Sequence, residues 1–182
     1  MKLAQVEASL DVYDAYFRNF VEEYQLPKKL FVRPDHFAIK CADELDYLDT
    51  CDALSGIAGD DGMWEFRQEE YGRSLASAQL SGRVAMSGLE FGWVEVMQPK
   101  VGKEAEAGLV EHTEFYFPDF FAVEQVLQQR GIDYDLQHND GHSWVNVVMD
   151  EQGGREIKLN NKPLAEVILW ERKQGLLHRI GL

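Results

Sequence analysis

Residues 112–131, HTEFYFPDFFAVEQVLQQRG, hold a strand, a turn and a helix in one short stretch. Along HTEFYF the side chains alternate, with His112, Glu114 and Tyr116 on one face and Thr113, Phe115 and Phe117 on the other, which is the period of a β-strand. Pro118 and Asp119 stop that strand and open DFFAVEQVLQQRG, an amphipathic helix closed by Gly131. Three alternating runs follow, IDYDLQHND, HSWVNVVMD and REIKLNN, with turns expected at Asn139–Gly141 and Gly153–Gly154. The unit is βαβββ.

Upstream the same order occurs once before. DHFAIKC, residues 35–41, sets His36, Ala38 and Lys40 opposite Phe37, Ile39 and Cys41. DELDYLDTCDALSGI then carries apolar residues at helical spacing, with Asp43 and Glu44 at the positive end of the helix dipole. After a polar loop at GDDG, residues 59–62, the chain to Lys100 reads as two or three short strands separated by glycines and ended by Pro99. The last of them, FGWVEVM, puts Trp93, Glu95 and Met97 on one face and Val94 and Val96 on the other.

Working further outward, VGKEAEAG, residues 101–108, reads as a linker between the halves. Leu10, Tyr13, Phe17, Phe20, Val21 and Tyr24 make a mostly aromatic helical stripe ended by Pro27, a lid or appendage packed on the domain. PLAEVILWERKQGLLHRIG reads as a last helix, with Trp170 and its leucines packing back. The expected fold is α+β: two βαβββ modules forming a curved mixed sheet around a central hollow, with an added N-terminal helix and a C-terminal helix. Residues 1–182 form a single domain in this reading: an N-terminal helical extension at 1–28, a first module at 29–100, a second at 109–162 and a C-terminal helix at 163–182.

Charge and cysteine content narrow the function classes. With 32 acidic against 18 basic side chains, the formal charge of -14 repels phosphate backbones and anionic membranes, so neither nucleic acid nor membrane is an expected partner. Cys41 and Cys51 form no C-x-x-C pair and read as free thiols in a reducing compartment, hence a cytoplasmic protein. The start of the chain, MKLAQVEASLDVYDAY, carries acids where a signal peptide would be apolar.

Four polar residues take matched positions in the two halves: His36 and Glu95 in the first, His112 and Lys158 in the second. Alone, a strand histidine is ordinarily a hydrogen-bonded polar residue and a lone glutamate is ordinarily solvated. Two imidazoles and a carboxylate at equivalent strand positions point instead to a divalent metal held by His36, Glu95 and His112, with coordination positions open for water and substrate. This donor set suits zinc, iron, manganese or nickel without choosing among them. Glu114 shares the face of His112 and can orient a ligand from behind it, a solvated strand carboxylate being the plainer reading. His138 and His142 flank the turn HNDGH and read as turn residues, with an acid–base role near the mouth of the hollow as the lesser alternative. His178 is expected to be exposed.

DHFAIKC, SGRVAM, WVEVMQP, EHTEFYFPD and EIKLNNKPLAEVI resemble segments of the vicinal oxygen chelate superfamily, and within it the YecM-like family of metal-binding proteins. The superfamily includes glyoxalase I, extradiol dioxygenases and bleomycin-resistance proteins; the likeness spans about residues 30–170 through short motifs. It implies first-strand ligands at His36 and His112 and a fourth-strand ligand at Glu95. The remaining fourth-strand position falls on Lys158, where glyoxalase I-like members supply a second carboxylate. The chain departs from that pattern, and Lys158 suits a substrate anchor or proton donor better than a ligand.

The resemblance further implies Lewis-acid catalysis on a small oxygen-bearing, anionic substrate, as an oxygenase or as an isomerase or lyase working through an enolate. Lys158 and Arg83 would offset substrate charge, although an arginine at a strand start is more often a surface ion pair. The alternatives are a non-catalytic small-molecule binder of the bleomycin-resistance type and an interaction domain using the N-terminal aromatic helix. The expected assembly is a monomer or homodimer.

Overall fold

The computed structural model describes residues 3–66, 72–99, 109–139, 142–150 and 154–180. The expected linker at 101–108 lies outside these, as do residues 140–141 and 153 of the two expected turns. Each βαβββ unit forms as its periodicity dictates. The first comprises β1 (Pro34–Lys40), α2 (Glu44–Ser55), β2 (Ala58–Phe66), β3 (Leu75–Met86) and β4 (Leu89–Met97), preceded by helix α1 (Leu3–Glu23). The second comprises β5 (Leu109–Tyr116), α3 (Phe120–Arg130), β6 (Asp135–Asn139), β7 (His142–Asp150) and β8 (Arg155–Asn160), followed by α4 (Leu164–Gln174) and β9 (Leu177–Arg179). Asp43 and Asp119 cap α2 and α3, accepting from the amides of Asp46 and Ala122.

The nine strands form one sheet in the order β6-β7-β8-β5-β1-β4-β3-β2-β9. In both units the first and last strands run parallel, β1 with β4 and β5 with β8, and the units join through antiparallel β1 and β5. Register makes the duplication exact at residue level: Ala38 lies opposite Glu95 and Glu114 lies opposite Lys158, two residues beyond His36 and His112 respectively. Glu95 therefore corresponds to Lys158, and Glu114 to Ala38.

One face of the sheet carries the apolar half of each alternation. Phe37, Ile39, Val94, Val96, Phe115, Ile157 and Leu159 are all buried in one core cluster. Helix α1 completes that cluster with Tyr13, Phe17 and Phe20, and Phe17 and Phe31 close on Phe115 at ring-centroid distances of 5.8 and 5.0 Å. Far from being a lid or appendage, α1 is part of the core; truncating a ring such as Phe115 there costs about 3–5 kcal/mol.

Three expectations need correction. GDDG is not a loop: it lies within β2, whose exposed edge tolerates the acids, and Gly62 takes a φ of 69° where an added Cβ would meet the Arg179 guanidinium at 3.1 Å. The last helix does not run to residue 182. Gly175, at φ 71°, ends it after Gln174, and Leu177–Arg179 becomes an edge strand on β2. Trp170 does not pack back but is 52% exposed, while Leu164 and Ile168 form the buried face of α4. His178, on that edge strand, is exposed as expected but pairs with Glu65 at 2.6 Å. Among the described residues no helix is long and apolar enough to cross a membrane.

Candidate metal centre

His36 on β1 and His112 on β5 meet because these strands are neighbours in the middle of the sheet; their ring centroids are 5.9 Å apart. Both side chains are essentially inaccessible. Glu114, two residues along β5 and so on the same face as His112, turns Oε1 toward both rings, 3.6 Å from His36 Nε2 and 3.5 Å from His112 Nε2. One donor atom from each of the three lies within 4.8 Å of the others, the one such cluster of histidine, cysteine and acidic groups among the described residues.

Those distances are too long for hydrogen bonds, and both Nε2 atoms are buried without a hydrogen-bond partner. Leaving a buried polar atom without a hydrogen bond costs about 1–3 kcal/mol; attraction between the rings and the Glu114 carboxylate offsets part of that cost, and an ion between the three donors would satisfy both nitrogens. With metal–donor bonds of about 2.0–2.2 Å, donors around one ion lie about 3.0–3.4 Å apart, close to the 3.6 and 3.5 Å between the carboxylate oxygen and the two imidazole nitrogens. The residues therefore fit a divalent cation.

Two β-bulges supply what stands behind the rings. Between Pro34 and Phe37, β1 carries one residue more than the facing stretch of β5, and between His112 and Val110, β5 carries the extra residue Glu111 opposite Ala38 and Ile39. Each bulge sits beside an acid that precedes a ligand-type histidine. Asp35 Oδ2 lies 3.2 Å from His36 Nδ1 and also accepts the Leu164 amide at 2.8 Å. Glu111 Oε2 approaches His112 Nδ1 at 3.8 Å, while its Oε1 accepts from Lys40 at 3.2 Å. The Asp35 carboxylate on Nδ1 fixes the His36 tautomer that presents Nε2 to an ion, whereas His112 Nδ1, at 3.8 Å from Glu111, has no hydrogen-bond partner.

Electrostatics follow from this crowding. Burial opposes a charged His36, but Glu114, Asp35 and Glu95 together outweigh it and raise its pKa to about 9. Burial likewise works against an ionised Glu114, yet His36, His112 and Lys158 hold its carboxyl well below the usual range. Asn160 donates its amide to Glu114 Oε2, and Lys158 Nζ lies 3.9 Å from Oε1. Glu111 also falls, to about 2, because His112, Lys40 and Lys158 overcome its burial.

The cluster opens on a pocket of about 260 Å³ whose walls include His36, Glu95, Glu114, His142 and Lys158. Five sequence-selected positions thus reach one cavity beside the buried His112. Glu95 stands on the wall on β4, near enough for its charge to raise the His36 pKa, but the carboxylate grouped with the two histidines is Glu114. Of the turn histidines, His142 joins the wall with Nε2 unpartnered and a pKa lowered by burial, so it is neutral at pH 7. His138 is exposed, bonded to Ser143 Oγ at 2.8 Å, and takes no part in the wall. Arg83 is absent from it too: 65% exposed, it lies 3.8 Å from Glu90 as a surface pair.

Arg73, Lys162 and the α4 residues Leu164, Val167 and Glu171 complete the cavity and had no local signal in the sequence. Asp35 and Glu111 did have one, the acid–histidine dipeptide repeated in DHF and EHT.

No protein-family model matches the chain, and no curated protein matches it. Among solved structures it is similar to a structural-genomics protein, Protein EC4020, at a TM-score of 0.74 and 16% identity, covering 93% of this chain and 92% of that one. That likeness shows the fold. Methylmalonyl-CoA epimerase from Streptomyces coelicolor in complex with 2-nitronate-propionyl-CoA aligns at 0.47 and 18% identity over 71% of this chain and 96% of its own. Methylmalonyl-CoA epimerase from Mycobacterium tuberculosis aligns at 0.47 and 14% over 74% and 91%.

Proposed function

We propose that this chain is a metal-dependent enzyme of the vicinal oxygen chelate type, acting on a small oxygen-bearing substrate in the pocket beside His36, His112 and Glu114. The observation that carries the reading is the pair of buried, unpartnered Nε2 atoms converging on one carboxylate oxygen. Support comes also from the paired βαβββ order and from the motif resemblance around both histidines. Glu95, on the same face of the neighbouring strand, is the fourth donor and the second carboxylate. A bound divalent ion supplies Lewis acidity, fixed positive charge that offsets negative charge developing on substrate oxygen.

The protein's own groups divide the remaining work. Asp35 orients the His36 imidazole through Nδ1, and Glu111 sets a negative charge 3.8 Å from His112 Nδ1. Lys158 places a cation next to the donor set and offsets substrate charge. His142, neutral and with Nε2 free, accepts a proton from substrate at that nitrogen. Leu164 and Val167 of α4 give the wall apolar surface that limits water there.

Metal analysis after anaerobic purification tests the centre: about one divalent ion per chain is expected. His36→Ala, His112→Ala and Glu114→Gln should lose it while remaining folded, and Glu95→Gln should lower affinity less than Glu114→Gln. Lys158→Ala should keep the metal. Full metal content in the first three variants rules the centre out.

A further inference from the structure

Three cations line this one pocket in a strongly acidic chain: Arg73, Lys158 and Lys162. Lys158 is beside the donor cluster, with its side chain 20% exposed. Arg73 and Lys162 are half-buried, and among the described residues neither forms an ion pair. The described hydrogen bond of the Arg73 guanidinium is to the Met97 thioether at 3.4 Å, which leaves most of its donors for something else. Lys162 lies near enough to His142 to help keep that ring neutral.

We propose that these side chains make the pocket a site for a compact molecule with two anionic groups, two carboxylates or a carboxylate and a phosphate. One anionic group faces the donor cluster beside Lys158, and the second is held by Arg73 and Lys162. The proposal rests on the metal reading above. Lys158 lies against Glu114, whereas Arg73 and Lys162 have no ion-pair partner among the described residues, so a divalent ion at the donor cluster and these two cations would each call for an anionic group. A ligand with one anionic group would leave one of those positive centres uncompensated in a partly desolvated wall, and a neutral substrate would leave both. Size points the same way. About 260 Å³ lies below the usual range for drug-sized ligands of about 300–1,000 Å³, so the enclosed part of the ligand is a small metabolite. The arginine fork suits bidentate binding of a planar carboxylate or of phosphate oxygens.

Calorimetric titration of the zinc-loaded chain with malonate, phosphoglycolate and acetate tests this. Malonate and phosphoglycolate, or one of them, should bind at least about tenfold tighter than acetate, and Arg73→Gln and Lys162→Gln should each weaken that binding about tenfold while leaving zinc content unchanged. The tighter of malonate and phosphoglycolate identifies the second anionic group. Equal affinity for all three anions, or malonate and phosphoglycolate binding indifferent to both substitutions, overturns the proposal. Zinc content measured in the same samples separates the two readings. Full zinc with no preference for malonate or phosphoglycolate over acetate sinks this inference alone; a chain that cannot be loaded with zinc removes the metal reading and this inference with it.

Discussion

The hydroxyl of Tyr13, on α1, accepts the backbone amide of Thr113 at 3.0 Å, and Thr113 is the residue between His112 and Glu114. The same hydroxyl donates to the carbonyl of Glu156 at 2.5 Å and lies 2.9 Å from Thr113 Oγ1. One turn earlier, Ser9 Oγ takes the Val110 amide at 2.7 Å, next to the Glu111 bulge. Side chains of α1 thus bind β5 on both sides of His112, from the face opposite the pocket.

Replacing Tyr13 with Phe keeps the packing but leaves the Thr113 amide and Glu156 carbonyl unsatisfied. Loss of about 1–3 kcal/mol of folding free energy is expected in a urea titration. Because the strand that slackens carries two of the three clustered donors, zinc affinity measured against a chelator should fall too. An unchanged affinity in a destabilised variant would limit α1 to a packing role.

Asp35→Asn keeps an acceptor for the Leu164 amide while removing the charge behind His36 Nδ1. Carboxylates in this position are worth about 10–100-fold in metal affinity, and a loss in that range is expected by competition titration. Glu111→Gln, which stands farther from its histidine, should cost less. The reverse order would contradict the tighter contact seen at His36.

The raised pKa of His36 has a definite sign. Its ordinary value is 6.5 and its folded value about 9, so in metal-free protein its charge stabilises the fold fully below pH 6.5, and the contribution fades as pH rises through about 9. The melting temperature of chelator-treated protein should therefore drop across that window, and His36→Gln should flatten the drop. Between pH 7 and 8, zinc binding must displace the His36 proton, which buffers of differing ionisation enthalpy will reveal in calorimetry. Zinc uptake without proton release would mean that His36 is neutral there.

Cys41 and Cys51 are buried among α2 and its neighbours, and burial pushes both thiols up to about 12. In native protein at pH 8 an aromatic disulfide reagent should react with neither on the timescale of minutes, and with both once denaturant is added. Rapid native labelling would place at least one thiol at the surface.

Residue alternation carried a large part of this molecule. The apolar and polar halves of DHFAIKC, FGWVEVM, HTEFYF and REIKLNN fixed which side chains face the helices and which face the hollow, because the two-residue period of a strand is local geometry. For that reason His36, Glu95, Glu114 and Lys158 could be assigned to one face before any coordinates, and the repeat order gave the paired modules. In the sequence the last helix reads on through Gly175 to residue 182, and the strand beyond that glycine could not be read, since three residues show no period and their partner, β2, lies more than a hundred residues away.

Tertiary structure decided which of these same-face groups touch. His112 and Glu114 meet His36 through the antiparallel register of β1 on β5, and that register contains two bulges. A bulge shifts the pairing by one residue and re-aims the acids beside it, an effect that depends on both strands at once. Arg73, Lys162 and the wall of α4 arrive from separate parts of the chain and share no spacing with the histidines. Periodicity along one strand specifies a direction for each side chain; convergence on a point requires the relative placement of several strands, which only long-range packing and register supply.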